Sequence, residues 1–141
     1  MICYVDLEHP ERGPSILTDA PEATQRKADF VTIAARFERL SGVPCLLQHF
    51  SRVDHETLAG LGVHTVILSG HSTVIDDYDP ADLAPLLTLI REWSGLYGVQ
   101  FHPERYTETH PAGRAILGNF FRVAGLTTPT ATEAALAGPA R

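Results

Sequence analysis

Leu96-Tyr97-Gly98-Val99-Gln100-Phe101-His102-Pro103-Glu104-Arg105-Tyr106 reads as an apolar strand that ends on a base and an acid. Side chains alternate faces along an extended chain, so His102 and Glu104, two apart, are expected on one side of it. A carboxylate beside an imidazole fixes the ring, which is the arrangement of a general base with its orienting acid. Upstream lie a helical pattern and the short turn Ser94-Gly95, and this helix-turn-strand grammar belongs to a parallel α/β sheet.

The same grammar runs back to the N-terminus. A helix is expected over about Asp82–Trp93, with Leu83, Leu86, Leu87, Ile90 and Trp93 on one face and Pro85 in its first turn, where a missing N–H matters little. Before it, the strand Val63–Leu68 runs into Ser69-Gly70-His71-Ser72 and the acidic loop Asp76–Asp79. Asp54–Leu61 reads as a short helix capped by Asp54 and ended by Gly62, and Pro44–Phe50 as a strand. Phe30, Ile33, Ala34, Phe37 and Leu40 mark one face of a helix over Pro21–Ser41, with Gly42 at its C′ position. Ile2–Leu7 is a buried first strand, followed by a Pro-, Gly-, Ser- and Asp-rich excursion from Pro10 to Pro21.

Downstream, a last helix is expected over Pro111–Ala124, with Thr109 as its cap and Gly125 as its close. Residues 127–141 carry no apolar period and read as a disordered tail, so residues 1–126 form one domain. The expected fold class is α/β, a three-layer, doubly wound parallel sheet of about four strands in the order 2-1-3-4. Ligands of such sheets bind beyond the carboxyl ends of the strands, an edge that here carries Glu8, His9, His49, Ser69, Gly70, His71, His102 and Glu104.

Composition narrows the function classes. Lys and Arg total 11 against 17 Asp and Glu, a net charge of −6 with no basic cluster, so nucleic acid is not an expected partner. Cys3 and Cys45 both lie in strand-like runs and do not suggest a disulfide framework. Neither a signal segment nor a membrane span is legible, and the expected setting is the cytoplasm.

Gly98-Val99-Gln100-Phe101-His102-Pro103-Glu104 resembles the His-Pro-Glu block of class I glutamine amidotransferases. The first strand, the Ser69-Gly70 turn, the helix after it and the Gly98–Leu126 strand and helix also stand in family order. The resemblance implies a flavodoxin-like domain, and a Cys-His-Glu triad that hydrolyses glutamine and passes ammonia to a partner reaction. His102 and Glu104 match the triad's base and acid, and Gly70 matches the glycine that supplies a backbone N–H to the oxyanion hole. Glutamine or another small molecule is the implied ligand and a synthase subunit the implied partner; the alternative readings are an interaction module that pairs with a second copy or a partner subunit, and a small-ligand or metal-binding domain using the histidine-lined edge. No cofactor is implied.

The family's nucleophile elbow, Gly-x-Cys-x-Gly, belongs between the Trp93 helix and the His-Pro-Glu strand, where this chain has only Ser94 and Gly95. Cys45 starts the second strand and so sits roughly 13 Å from its far end, at about 3.3 Å per residue. Cys3 is expected to be a small buried hydrophobe. The His-Pro-Glu strand is therefore expected to take the place of the missing elbow strand, in a domain that cannot run the amidotransferase cycle alone. Ser69 and Ser72 lack the flanking glycines of an elbow. His9 and His71 are candidate ligand-binding residues on the same edge. No metal is expected, because no histidine pair has a compact ligand spacing and solvated surface histidines explain the pattern better. Asp76, Asp77 and Asp79 lack the spacing of a calcium loop and read as a solvated lead into a helix.

Overall fold

The computed structural model describes residues 1–19, 21–71, 75–92 and 102–126. Three parallel strands lie side by side in the order β2-β1-β3: β1 (Ile2–Asp6), β2 (Cys45–His49) and β3 (Thr65–Leu68). Ile2 pairs with Cys45 on one side and Thr65 on the other, and Asp6 ends β1 opposite His49. The central strand is the one buried at every position, as a strand covered on both faces must be.

Alternation along β1 divides the core in two. Cys3 and Val5 face Phe50, Leu58, Leu86 and Leu89, which come from the 3₁₀ turn Phe50–Arg52, α2 (His55–Gly60) and α3 (Pro80–Glu92). Ile2 and Tyr4 face Phe30, Ile33, Phe37, Leu117 and Phe121, which come from α1 (Pro21–Ser41) and α4 (Ala112–Val123). Tyr4 stacks on Phe30 with ring centroids 4.5 Å apart and meets Phe37 edge-on at 5.3 Å. The result is a mixed α/β domain with helices on both sheet faces, and the order of its three strands is the expected one.

Local rules explain most helix ends. Asp54 Oδ2 accepts the Thr57 N–H at 2.7 Å to cap α2. Gly42 and Gly62 close α1 and α2 at φ of 75° and 72°, a conformation that glycine alone adopts without a Cβ penalty.

Two ends differ from the sequence expectation. Asp79, not a residue near Asp82, starts α3, since its Oδ1 accepts the Ala81 N–H at 2.8 Å. Pro85 is therefore inside the helix, where it deprives the Ala81 carbonyl of its donor. Thr109 does not cap α4: its Oγ1 bonds Thr107 Oγ1 and His110 Nδ1 at 3.0 and 3.1 Å, and Pro111 precedes the helix without a side-chain cap. The expected fourth strand Leu96–Phe101, Trp93, the Ser94-Gly95 turn, Ser72 and the tail 127–141 lie outside the described residues. Among the described residues, no helix is long and apolar enough to cross a membrane.

Candidate functional site

The carboxyl edge of the sheet is organised by Asp6. Its fully buried carboxylate accepts from the Glu8 and Ile16 backbone N–H at 3.1 and 2.8 Å, from Ser15 Oγ at 3.2 Å and from Arg26 Nε at 3.0 Å. One side chain thus folds the loop after β1 back onto the strand. Arg26 lies over the Phe30 ring at 5.0 Å, approaches Glu8 Oε2 at 3.8 Å and donates to the Gly70 carbonyl at 3.3 Å. Two buried carboxylates would be costly beside each other, and the shared guanidinium offsets that.

Arg26 therefore links the end of β1 to the turn after β3. In that turn Ser69 is committed to structure: its N–H donates to Val5 O at 2.9 Å and its Oγ accepts the Leu7 N–H at 3.1 Å. Gly70 comes next and lies against His102, whose Cε1 is 3.8 Å from where a Cβ on Gly70 would stand.

His102 precedes the 3₁₀ turn Pro103–Arg105, which is closed by Arg105 N–H to His102 O at 3.2 Å. Glu104 Oε1 accepts from His102 Nδ1 at 2.8 Å. The expected pair is present, but with a different geometry, because a tight turn and not an extended strand brings the side chains together. With Nδ1 occupied, the hydrogen bond fixes the neutral ring as the Nδ1–H tautomer and leaves Nε2 as the proton acceptor. Glu104 is largely covered at 14% side-chain exposure while His102 is open at 64%, so the acid is sheltered and the base accessible.

Two helices hold this turn. α4 approaches so closely that a Cβ on Gly113 would lie 2.3 Å from Pro103 O, and Arg36 of α1 donates to the Glu104 carbonyl. The dyad borders two adjoining clefts. One, of about 310 Å³, is walled by Tyr4, Phe37, Leu117 and Gly70; the other, of about 280 Å³, by Arg26, Asp29 and Arg105.

The structure brings Gly70, His102 and Glu104 together, with Ser69 beside Gly70 in both cleft walls, and places His9, His71, His49 and Glu8 elsewhere. His9 and His71 gather at Tyr78, their rings edge-on to it at 5.4 and 5.7 Å. His9 Nδ1 accepts the Glu11 N–H at 3.1 Å, His71 Nδ1 lies 3.4 Å from the Tyr78 hydroxyl, and that hydroxyl donates to Leu7 O at 2.6 Å. Neither histidine borders the clefts.

His49 and Glu8 are not solvated at all, each being about 1% exposed. His49 Nδ1 accepts the Ser51 N–H at 3.3 Å and Nε2 meets the Glu8 carbonyl at 2.9 Å, which makes Nε2–H the donor. Burial pulls the His49 pKa below the ordinary imidazole value, the Glu8 hydrogen bond opposing it. His49 is a neutral pin between β2 and the loop after β1. Among the described residues, no three His, Cys, Asp or Glu side chains converge as a metal ligand set.

Both thiols are remote from the dyad in kind and in place. Cys3 belongs to the core on the α3 side, and burial pushes it up to about 11. Cys45 pairs with Ile2 at the opposite end of the sheet, and burial, with smaller repulsion from Cys3 and Glu38, pushes it up to about 12. A thiol is nucleophilic as the thiolate, so neither is prepared for attack.

Sequence reading missed Asp6, Arg26 and Arg36. Their signal was available in part: an acid ending a buried strand, and basic residues flanking the Phe30–Ile33–Phe37 face of α1. Compared with protein-family profiles, curated proteins and solved structures, the chain has no match.

Proposed function

We propose that this chain is a shortened domain similar to the class I glutamine amidotransferases, with a flavodoxin-like sheet of about four strands, that keeps the base and acid of the triad without its sulfur nucleophile. In the intact chemistry a thiolate attacks the glutamine carboxamide, the imidazole moves the proton and the acid holds the imidazole. Here His102 Nε2 can accept or share a proton at the cleft mouth, and Gly70 stands beside it. No covalent acyl intermediate follows, because Cys3 is buried, Cys45 is half-buried at the far end of the sheet, and both are held protonated. The domain then holds a small carboxamide such as glutamine and releases no ammonia alone, and a second copy or a synthase subunit completes its role.

One observation carries this reading: the 2.8 Å contact of His102 Nδ1 with a sheltered Glu104, at a ring lying against Gly70. The test is intact-mass analysis after incubation with a diazo-ketone glutamine analogue, with an ammonia-release assay and NMR titration by glutamine alongside. The expected result is no adduct, background ammonia, and shifts of the Gly70 and His102 resonances. A stoichiometric adduct on Cys3 or Cys45 would overturn the sulfur deficit, and unmoved resonances at high millimolar glutamine would overturn the carboxamide site.

A further inference from the structure

We infer that Arg36 is a positioning residue for the His102–Glu104 pair, setting from α1 the tautomer of an imidazole that it does not touch. The Glu104 carbonyl lies within the 3₁₀ turn, which the Arg105 N–H closes onto His102 O. Among the described residues it is Arg36 Nη1 that donates to this carbonyl. The same guanidinium lies over the Tyr106 ring at 5.2 Å, so it grips the chain on both sides of Arg105. Arg36 is itself half-buried on α1, directly before the buried Phe37.

A carboxylate moves with its own backbone. Holding the Glu104 peptide plane therefore holds Oε1 within reach of His102 Nδ1, and that contact selects the Nδ1–H form. A neutral imidazole free in water favours the Nε2–H form, so the support reverses an intrinsic preference. Arginine suits this task, because its planar fork donates in the plane while its face stacks on the aromatic ring. The packing of Gly113 on Pro103 fixes where the turn sits. Arg36 fixes how the Glu104 peptide is rotated within it.

This inference rests on reading His102 and Glu104 as a functional dyad. Its test is the ¹⁵N spectrum of the His102 ring at mildly alkaline pH, where imidazole is neutral, in the full chain and in Glu104→Ala, Arg36→Met and Arg36→Gln. The wild-type ratio of Nδ1–H to Nε2–H should exceed that of Glu104→Ala by about tenfold, the scale of a charge-assisted hydrogen bond. Arg36→Met should bring the ratio most of the way to the Glu104→Ala value, and Arg36→Gln part of the way. His49, held as Nε2–H by the Ser51 N–H on its Nδ1, should stay unchanged throughout and reports an intact fold.

A wild-type ratio in a folded Arg36→Met variant overturns the inference; if that variant does not fold, a wild-type ratio in Arg36→Gln does so. A wild-type ratio equal to that of Glu104→Ala overturns the dyad reading instead, which separates the two failures.

Discussion

Adding one methyl group to α4 should have opposite effects at two positions five residues apart, and the sign at each tests how the dyad turn is held. A Cβ on Gly113 would stand 2.3 Å from Pro103 O and 3.0 Å from Pro103 Cα. Van der Waals contact lies near about 3.5 Å, so α4 and the turn would have to part by roughly 1 Å. Overpacking of this kind typically destabilises by about 1–3 kcal/mol, against a helix-propensity gain from Gly to Ala of at most about 1 kcal/mol. Gly113→Ala should therefore lose roughly 1–2 kcal/mol net. Among the described residues a Cβ on Gly118 meets nothing within 4 Å, so Gly118→Ala keeps the propensity gain and should stabilise by about 0.5–1 kcal/mol. In urea, with a slope of about 1–3 kcal/mol per molar, the two midpoints should move apart by roughly 1 M around wild type. A Gly113→Ala protein as stable as Gly118→Ala would refute the close docking of α4 on Pro103.

Asp6→Ala leaves Arg26 and the Glu8, Ser15 and Ile16 donors without their acceptor. It should cost about 3 kcal/mol, the low end for breaking a buried ion pair because Arg26 keeps some contact with water, read from urea unfolding. His49 titrates below the ordinary imidazole value in the fold, so the unfolded chain binds the extra proton first as pH falls. Its contribution is complete above about pH 6.5 and is lost as pH drops from there toward the lowered folded value. His49→Gln should flatten that part of the stability profile measured between about pH 7 and pH 5. Native Cys3 and Cys45, raised to about 11 and about 12, should resist iodoacetamide at neutral pH and react fully on unfolding, as mass spectrometry would read. Rapid native alkylation of either would contradict the raised pKa that burial gives Cys3 and partial burial gives Cys45.

The parts of this molecule legible in its sequence are those governed by short-range rules. The strand order follows from alternating strands and helices, Gly42 and Gly62 terminate helices as their positions predict, and Asp54 caps α2. His102 and Glu104 meet because they are close in sequence, although through a 3₁₀ turn and not the predicted strand pleat. What sequence hid depends on distant partners. Asp6 finds Arg26 twenty residues away, and Arg36 finds the Glu104 carbonyl sixty-eight residues away, and no local pattern announces either. Polarity also misled: His49 and Glu8 read as edge residues facing water, yet the loop that Asp6 folds back covers them. His9 and His71 share the edge with His102 but answer to Tyr78, a residue whose burial could not be read from the acidic loop around it.

The alternation of β1 has a consequence for how this protein can change. Among the described residues, Arg36, Gly113 and the Tyr4 wall of the cleft all support the dyad from the α1 and α4 side of the sheet. The layer of α2 and α3 packs beneath Cys3 and Val5, and among the described residues it meets the cleft beside that corner through Leu68. Drift or redesign away from Leu68 can raise or lower the melting point with little effect on the His102–Glu104 corner, since distant sites combine nearly additively. The opposite layer has no such latitude: a repacked Phe37 or Leu117 retunes bulk stability and the imidazole's surroundings in a single step.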